Sequence, residues 1–167
     1  VLFVSNHQSN FDIAVFMRYV KKEKSYLSKS ELLKIPLLRT WMKYLNCVFL
    51  DRDDLKSSGK AILDGIKLLK QGFSFVVFPE GTRSKSSKLT EFKNTSLKLA
   101  TKSNVKIVPV TIDGTYKLME ANNYKIKPSE VFLTIHEPIE TKNLSKEEID
   151  LLADKVYKVI ESGLHFN

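Results

Sequence analysis

The segment Ser5-Asn6-His7-Gln8-Ser9-Asn10-Phe11-Asp12 holds one of the chain's three histidines and, five residues on, an aspartate. An imidazole with an ordinary pKa of about 6.5 takes a proton from an alcohol at neutral pH. A carboxylate on its other ring nitrogen fixes the tautomer and stabilises the imidazolium that forms. A turn between them brings His7 and Asp12 within reach of each other. A polar loop ending in aspartate is also how many helices are capped, so the pair alone leaves two readings open for Asp12.

A second polar cluster, Phe78-Pro79-Glu80-Gly81-Thr82-Arg83-Ser84, follows an uninterrupted apolar run. Pro79 ends a ladder and Gly81 permits a backbone conformation that other residues avoid. Thr82, Arg83 and Ser84 then offer a guanidinium fork, hydroxyls and amides suited to phosphate. Leu50-Asp51-Arg52 ends another apolar run with a second arginine, and Lys93 adds charge nearby. Either arginine alone is most simply a surface ion pair. Three polar segments at the ends of three strands point instead to one anion-binding site.

The elements that must position these groups alternate along the chain. Apolar runs rich in β-branched and aromatic residues at 1–4, 47–50, 73–78, 105–112 and 131–135 read as strands. Residues 58–71, with Ile62, Ile66 and Leu69 on one face and Gly72 at the end, read as a helix. Ser145 followed by Glu148 is a capping box, after which Ile149, Leu152, Ala153, Val156, Val159 and Ile160 recur at helical spacing. Such alternation specifies an α/β domain with a mixed, largely parallel sheet flanked by helices, and ligand sites beyond the carboxyl ends of its strands. A chain of 167 residues is enough for one core, so 1–167 is expected to be a single domain.

Lys and Arg outnumber Asp and Glu by 27 to 19, a net charge of +8 that favours an anionic partner. No apolar run reaches the roughly 18 to 20 residues that cross a bilayer. The lone Cys47 forms no internal disulfide and lies among apolar residues, as expected of a small packed hydrophobe in a reducing compartment. Residues 31–45 carry Leu, Ile, Trp, Met and Tyr around most of a helix circumference. Two readings follow: a helix pair kinked at Pro36 and buried on both sides, or an outer face that enters lipid headgroups with Trp41 and Tyr44 at the interface.

The block Asn6-His7-Gln8-Ser9-Asn10-Phe11-Asp12 resembles the HxxxxD motif of the glycerolipid acyltransferases, the lysophosphatidate acyltransferase family. Val48-Phe49-Leu50-Asp51-Arg52, Phe78 to Ser84 and Val108-Pro109-Val110 are similar to the family's second, third and fourth motifs, in order and spacing. The resemblance implies a glycerol-3-phosphate acyltransferase-like fold. It also implies a 1-acyl-sn-glycerol-3-phosphate O-acyltransferase of phospholipid biosynthesis, passing a fatty acyl group from acyl-CoA or acyl-ACP to lysophosphatidate to give phosphatidate. Carried over, His7 deprotonates the acceptor hydroxyl, Asp12 orients it, and Arg52, Glu80, Gly81, Thr82 and Arg83 bind the acceptor, with Ser84 and Lys93 beside them. Asn46 and Thr95 stand where the family usually has glycine. The family also usually carries apolar helices before the first motif, so a membrane-associating segment is expected upstream.

The implied partners are a phospholipid surface at the cytoplasmic face, a lysophospholipid acceptor, and acyl-CoA or acyl carrier protein; no bound cofactor, metal or nucleic acid is expected. Rival readings are an acyltransferase for another lysophospholipid or for glycerol-3-phosphate, a lipid hydrolase, and a non-catalytic basic membrane-binding module. A hydrolase calls for an activated serine or cysteine; Ser5 and Ser9 flank His7 and leave a covalent acyl-serine route conceivable, but neither lies in a Gly-x-Ser-x-Gly elbow. Oxyanion donors are sought near Pro109-Val110 or in the first-motif loop.

Overall fold

The computed structural model describes residues 1–51 and 54–165. Six strands form one sheet in the order β3-β2-β4-β1-β5-β6. The strands are β1 (Leu2–Ser5), β2 (Ser25–Lys29), β3 (Val48–Leu50), β4 (Phe75–Val77), β5 (Ile107–Asp113) and β6 (Phe132–Ile135). All neighbouring pairs run parallel except β5 and β6. Among the described residues six α-helices accompany them: α1 (Phe11–Tyr19), α2 (Pro36–Tyr44), α3 (Leu55–Lys70), α4 (Asn94–Ser103), α5 (Lys146–Asp150) and α6 (Leu152–Glu161).

Strand β1 has neighbours on both edges and apolar layers on both faces, which is why Leu2, Phe3 and Val4 form a continuous run rather than an alternating one. Leu2 and Val4 point to the layer that includes Phe75, Leu99, Val156 and Ile160; Phe3 points to the layer of Phe16, Val20, Val76 and Ile112. Burying one such side chain stabilises the fold by about 1.5–3 kcal/mol. Helices α3 and α4 approach closely at Gly65, where an added Cβ would lie 2.8 Å from Leu99 Cδ2.

Five strands fall where apolar runs predict them, with ends shifted by one or two residues. Strand β2 was not anticipated, because Tyr26 and Leu27 are its only apolar residues. It exists because β3 and β4 satisfy its backbone on both edges. Helix α3 begins three residues before the expected start, where Asp54 accepts a hydrogen bond from Lys56 N–H at 2.9 Å. The capping box is formed, Ser145 Oγ accepting from Glu148 N–H and Glu148 Oε2 from Ser145 N–H. The helix expected after it is broken at Leu151. Ile149 and Leu151 remain exposed, while Leu152, Ala153, Val156 and Ile160 pack into the core.

The 31–45 segment breaks at Pro36, as in the first of the two readings. Ile35, held extended before the proline, separates a 3-10 turn (Ser30–Lys34) from α2. It is not buried on both sides: Met42 alone in α2 is buried, while Leu37 is 85% and Tyr44 83% exposed, with Ile35 and Trp41 exposed beside them. Among the described residues no helix is long and apolar enough to cross a membrane. Asn46, after α2, has φ +52°, a left-handed conformation that explains its standing in a glycine's place.

Candidate active site

The carboxyl end of β1 turns directly into 6–10 and then into α1, which sets Asp12 in the helix's first turn with its side chain fully buried. Asp12 Oδ2 accepts from Gln8 N–H at 2.7 Å and Ser9 N–H at 2.9 Å, and stands 2.6 Å from His7 Nδ1. Its Oδ1 accepts the Thr115 hydroxyl at 2.5 Å. Asp12 thus braces its own loop and holds the imidazole; it does not cap α1, whose N-cap residue Asn10 makes no side-chain cap hydrogen bond. With Nδ1 engaged as donor, Nε2 is the nitrogen left to accept a proton. The ring stacks on Phe78 at 4.2 Å between centroids, which fixes its plane.

The segment after β4 wraps this loop. Glu80, buried, accepts His7 N–H at 2.7 Å on Oε1 and both the N–H and hydroxyl of Thr90 on Oε2, at 3.0 and 2.6 Å. Ser84 N–H donates to the His7 carbonyl at 2.8 Å. Both residues, expected at the acceptor, hold the histidine's backbone. Burial pushes the Glu80 carboxyl up from its ordinary pKa, against hydrogen bonds from Thr90 and the His7 amide. Gly81, at φ +74°, Thr82 and Arg83 reach the cavity beside His7. Lys93 is exposed and contributes its N–H to the Pro79 carbonyl at 3.0 Å, without lining that cavity. Arg52 lies outside the described residues.

The cavity holds about 540 Å³. His7, Asn10, Gly81, Thr82 and Arg83 supply its polar groups, and Tyr26, Leu27, Leu32, Leu38, Trp41, Met42 and Leu50 much of its apolar wall. The half-buried Cys47 thiol also lines it, its pKa raised by burial. The cavity thus pairs an apolar wall with an imidazole and a guanidinium.

The hydroxyls of Ser5 and Ser9 turn elsewhere, to the Asn6 carbonyl and to Glu120. Val110 lies inside β5, paired with β1 and β6, which removes its amide as an oxyanion donor. His136 bonds Thr111 at 2.8 Å, away from the cavity. Among the described residues no group of three or more His, Cys, Asp or Glu side chains is placed to hold a metal.

Sequence reasoning missed Thr115, Glu120 and Thr90. A polar Asp113-Gly114-Thr115 at the end of a fully buried strand is a usable signal for the first. Gly114 turns there at φ +99°, where a Cβ would meet the Glu130 carbonyl at 2.4 Å, and its N–H donates to Gln8 Oε1 at 2.9 Å.

A largely parallel α/β sheet thus carries a histidine–aspartate pair at the end of a central strand, with a guanidinium and an apolar-walled cavity beside it. The chain belongs to the Acyltransferase family, whose model matches residues 1–113. It is 32% identical over 171 residues to a probable 1-acyl-sn-glycerol-3-phosphate acyltransferase of Mycoplasma pneumoniae, covering 96% of this chain and 64% of that protein. To the chloroplast 1-acyl-sn-glycerol-3-phosphate acyltransferase of Arabidopsis thaliana it is 37% identical over 139 residues, 83% of this chain and 39% of the relative. The solved structure of the 1-acyl-sn-glycerophosphate acyltransferase PlsC from Thermotoga maritima superposes with a TM-score of 0.84 at 41% identity, over 97% of this chain and 64% of that one. The chain therefore spans less than two thirds of the length of these relatives.

Proposed function

We propose that the protein transfers a fatty acyl group from acyl-CoA or acyl-ACP to the free hydroxyl of lysophosphatidate, giving phosphatidate. The observation that carries this reading is His7 Nδ1 at 2.6 Å from buried Asp12 Oδ2, in the wall of a cavity that also holds Arg83. Nε2 of His7 takes the acceptor's hydroxyl proton as that oxygen attacks the thioester carbonyl. The tetrahedral oxyanion collapses, the C–S bond breaks, and His7 returns the proton to the departing thiolate. Thiolate leaves readily, so no protein nucleophile and no bound cofactor are required. Thr82 and Arg83 engage the acceptor phosphate, with Gly81 shaping the loop. Arg52 and Lys93 are assigned to the same anion on charge alone. Glu80 and Ser84 act through the His7 backbone.

The exposed apolar side of α2, the net charge of +8 and the lipid acceptor support association with an anionic bilayer, which we assign to the cytoplasmic face. Residues 1–167 form one acyltransferase domain in this reading.

The test is thioester consumption on vesicles with and without lysophosphatidate, products identified by mass spectrometry, with His7→Ala and Arg83→Lys alongside. Phosphatidate formed by the wild type and not by His7→Ala, with the acceptor KM raised about tenfold or more in Arg83→Lys, is the expected result. Free fatty acid as sole product replaces the reading with hydrolysis.

A further inference from the structure

We infer that Glu120, which lies outside every acyltransferase motif of the sequence, is a positioning residue that ties the histidine loop to Arg83; the inference rests on the function proposed above. Its side chain is fully buried at a 3-10 turn beyond β5 (Glu120–Asn122). Oε2 accepts the Ser9 hydroxyl at 2.7 Å. Oε1 accepts Asn10 N–H at 3.2 Å and Arg83 Nη1–H at 3.3 Å. One carboxylate therefore holds two consecutive residues of the catalytic loop and the guanidinium assigned to the acceptor.

The connection reaches the dyad within two bonds. Ser9 gives its own N–H to Asp12 Oδ2, and its hydroxyl oxygen accepts Phe11 N–H at 3.1 Å, at the first residue of α1. A shift of Ser9 therefore moves Asp12 and, through it, the ring of His7. Arg83 is 30% exposed and borders the cavity, so engaging Nη1 with Glu120 leaves its other N–H groups for an incoming anion. A desolvated carboxylate needs an opposite charge, and the Arg83 guanidinium supplies it. That requirement restrains Arg83 before any substrate arrives, so less ordering is left for the binding step.

The test compares Glu120→Ala and Glu120→Gln with the wild type in the same chain. Glutamine keeps the shape and one accepting oxygen for Asn10 and Arg83 but removes the charge, and its NH2 donates to the Ser9 oxygen, reversing the bond that the Ser9 hydroxyl makes to Glu120. The first readout is amide hydrogen exchange of the unliganded protein. Alanine should speed exchange in peptides covering 6–12 and 80–84 and nowhere else, with glutamine nearer the wild type than alanine because it keeps an accepting oxygen without the charge. The second is kinetics. Alanine should lower kcat about tenfold or more and raise the lysophosphatidate KM severalfold, while the melting temperature stays within about 3 °C. Glutamine should keep kcat within about threefold of wild type. Unchanged exchange in the alanine variant overturns the inference. So does an equal loss of activity and melting temperature in both variants, which would make Glu120 a general structural residue. A wild type that acylates no lysophosphatidate removes the proposed function, and the exchange comparison still decides the role of Glu120.

Discussion

The hydroxyl of Thr115 donates to Asp12 Oδ1 at 2.5 Å, across 103 residues of chain, while the opposite oxygen of the same carboxylate faces His7. Both partners are fully buried, so no water stands ready to replace a lost donor. Thr115→Val should therefore destabilise the fold by about 1.5–3 kcal/mol, the cost of a hydrogen bond to a charged group. Turnover should fall about tenfold as the dyad loosens. Thr115→Ser should recover most of both. Urea unfolding and steady-state turnover of the two variants check this, and a valine variant with wild-type stability and kcat would disprove it.

Glu80 makes stability depend on pH in a stated direction. Burial raises its carboxyl pKa, the bonds from Thr90 and the His7 amide opposing the shift. A carboxyl raised by folding contributes stability in full below its unfolded pKa of about 4.3, and loses it as pH rises through the folded value. The melting temperature of the wild type minus that of Glu80→Gln should be largest near about pH 4 and shrink toward about pH 8. A difference that grows with pH is incompatible with this account.

Helix α2 offers an apolar face whose removal should leave the core intact. Leu37 and Tyr44 are 85% and 83% exposed, so Leu37→Ser with Tyr44→Ser deletes apolar surface without opening a cavity. Partition onto anionic vesicles should weaken roughly 10- to 100-fold, with the melting temperature within about 3 °C. Sedimentation with vesicles reads the outcome, and undiminished binding would exclude α2 as the contact.

Asn46 lies in a left-handed turn between α2 and β3. Asn46→Gly should be tolerated within about 0.5 kcal/mol, whereas Asn46→Val should cost about 1–2 kcal/mol because a β-branched side chain is strained at positive φ. Chemical denaturation of both variants distinguishes them; equal stabilities would mean that the turn relaxes to accommodate valine.

Much of this was legible in the chain itself, for local reasons. His7 and Asp12 are five residues apart in one turn, so their contact needs only a loop closing on a helix. The strands at 1–4, 73–78 and 105–112 announce themselves because central parallel strands are apolar on both faces. The Phe78 to Ser84 segment reads as an anion cradle from its residue types, and Gly81, Thr82 and Arg83 from it line the cavity. Glu80, from the same segment, points inward to the His7 amide, and its neighbours in sequence carry no sign of that direction.

The sequence by itself determined the α/β class, the histidine–aspartate pair and the polar loops at strand ends, all of which follow from residue type, period and short spacing. Only the tertiary structure decided that β5 lies beside β1, which delivers Thr115 to Asp12, and that the segment beyond β5 returns Glu120 to Ser9, Asn10 and Arg83. It likewise decided that β2 is a strand and that α2 keeps an apolar side exposed. These outcomes depend on strand order and on which faces find partners. A buried hydrogen bond between residues a hundred positions apart leaves no periodic trace in either segment; packing alone brings them together.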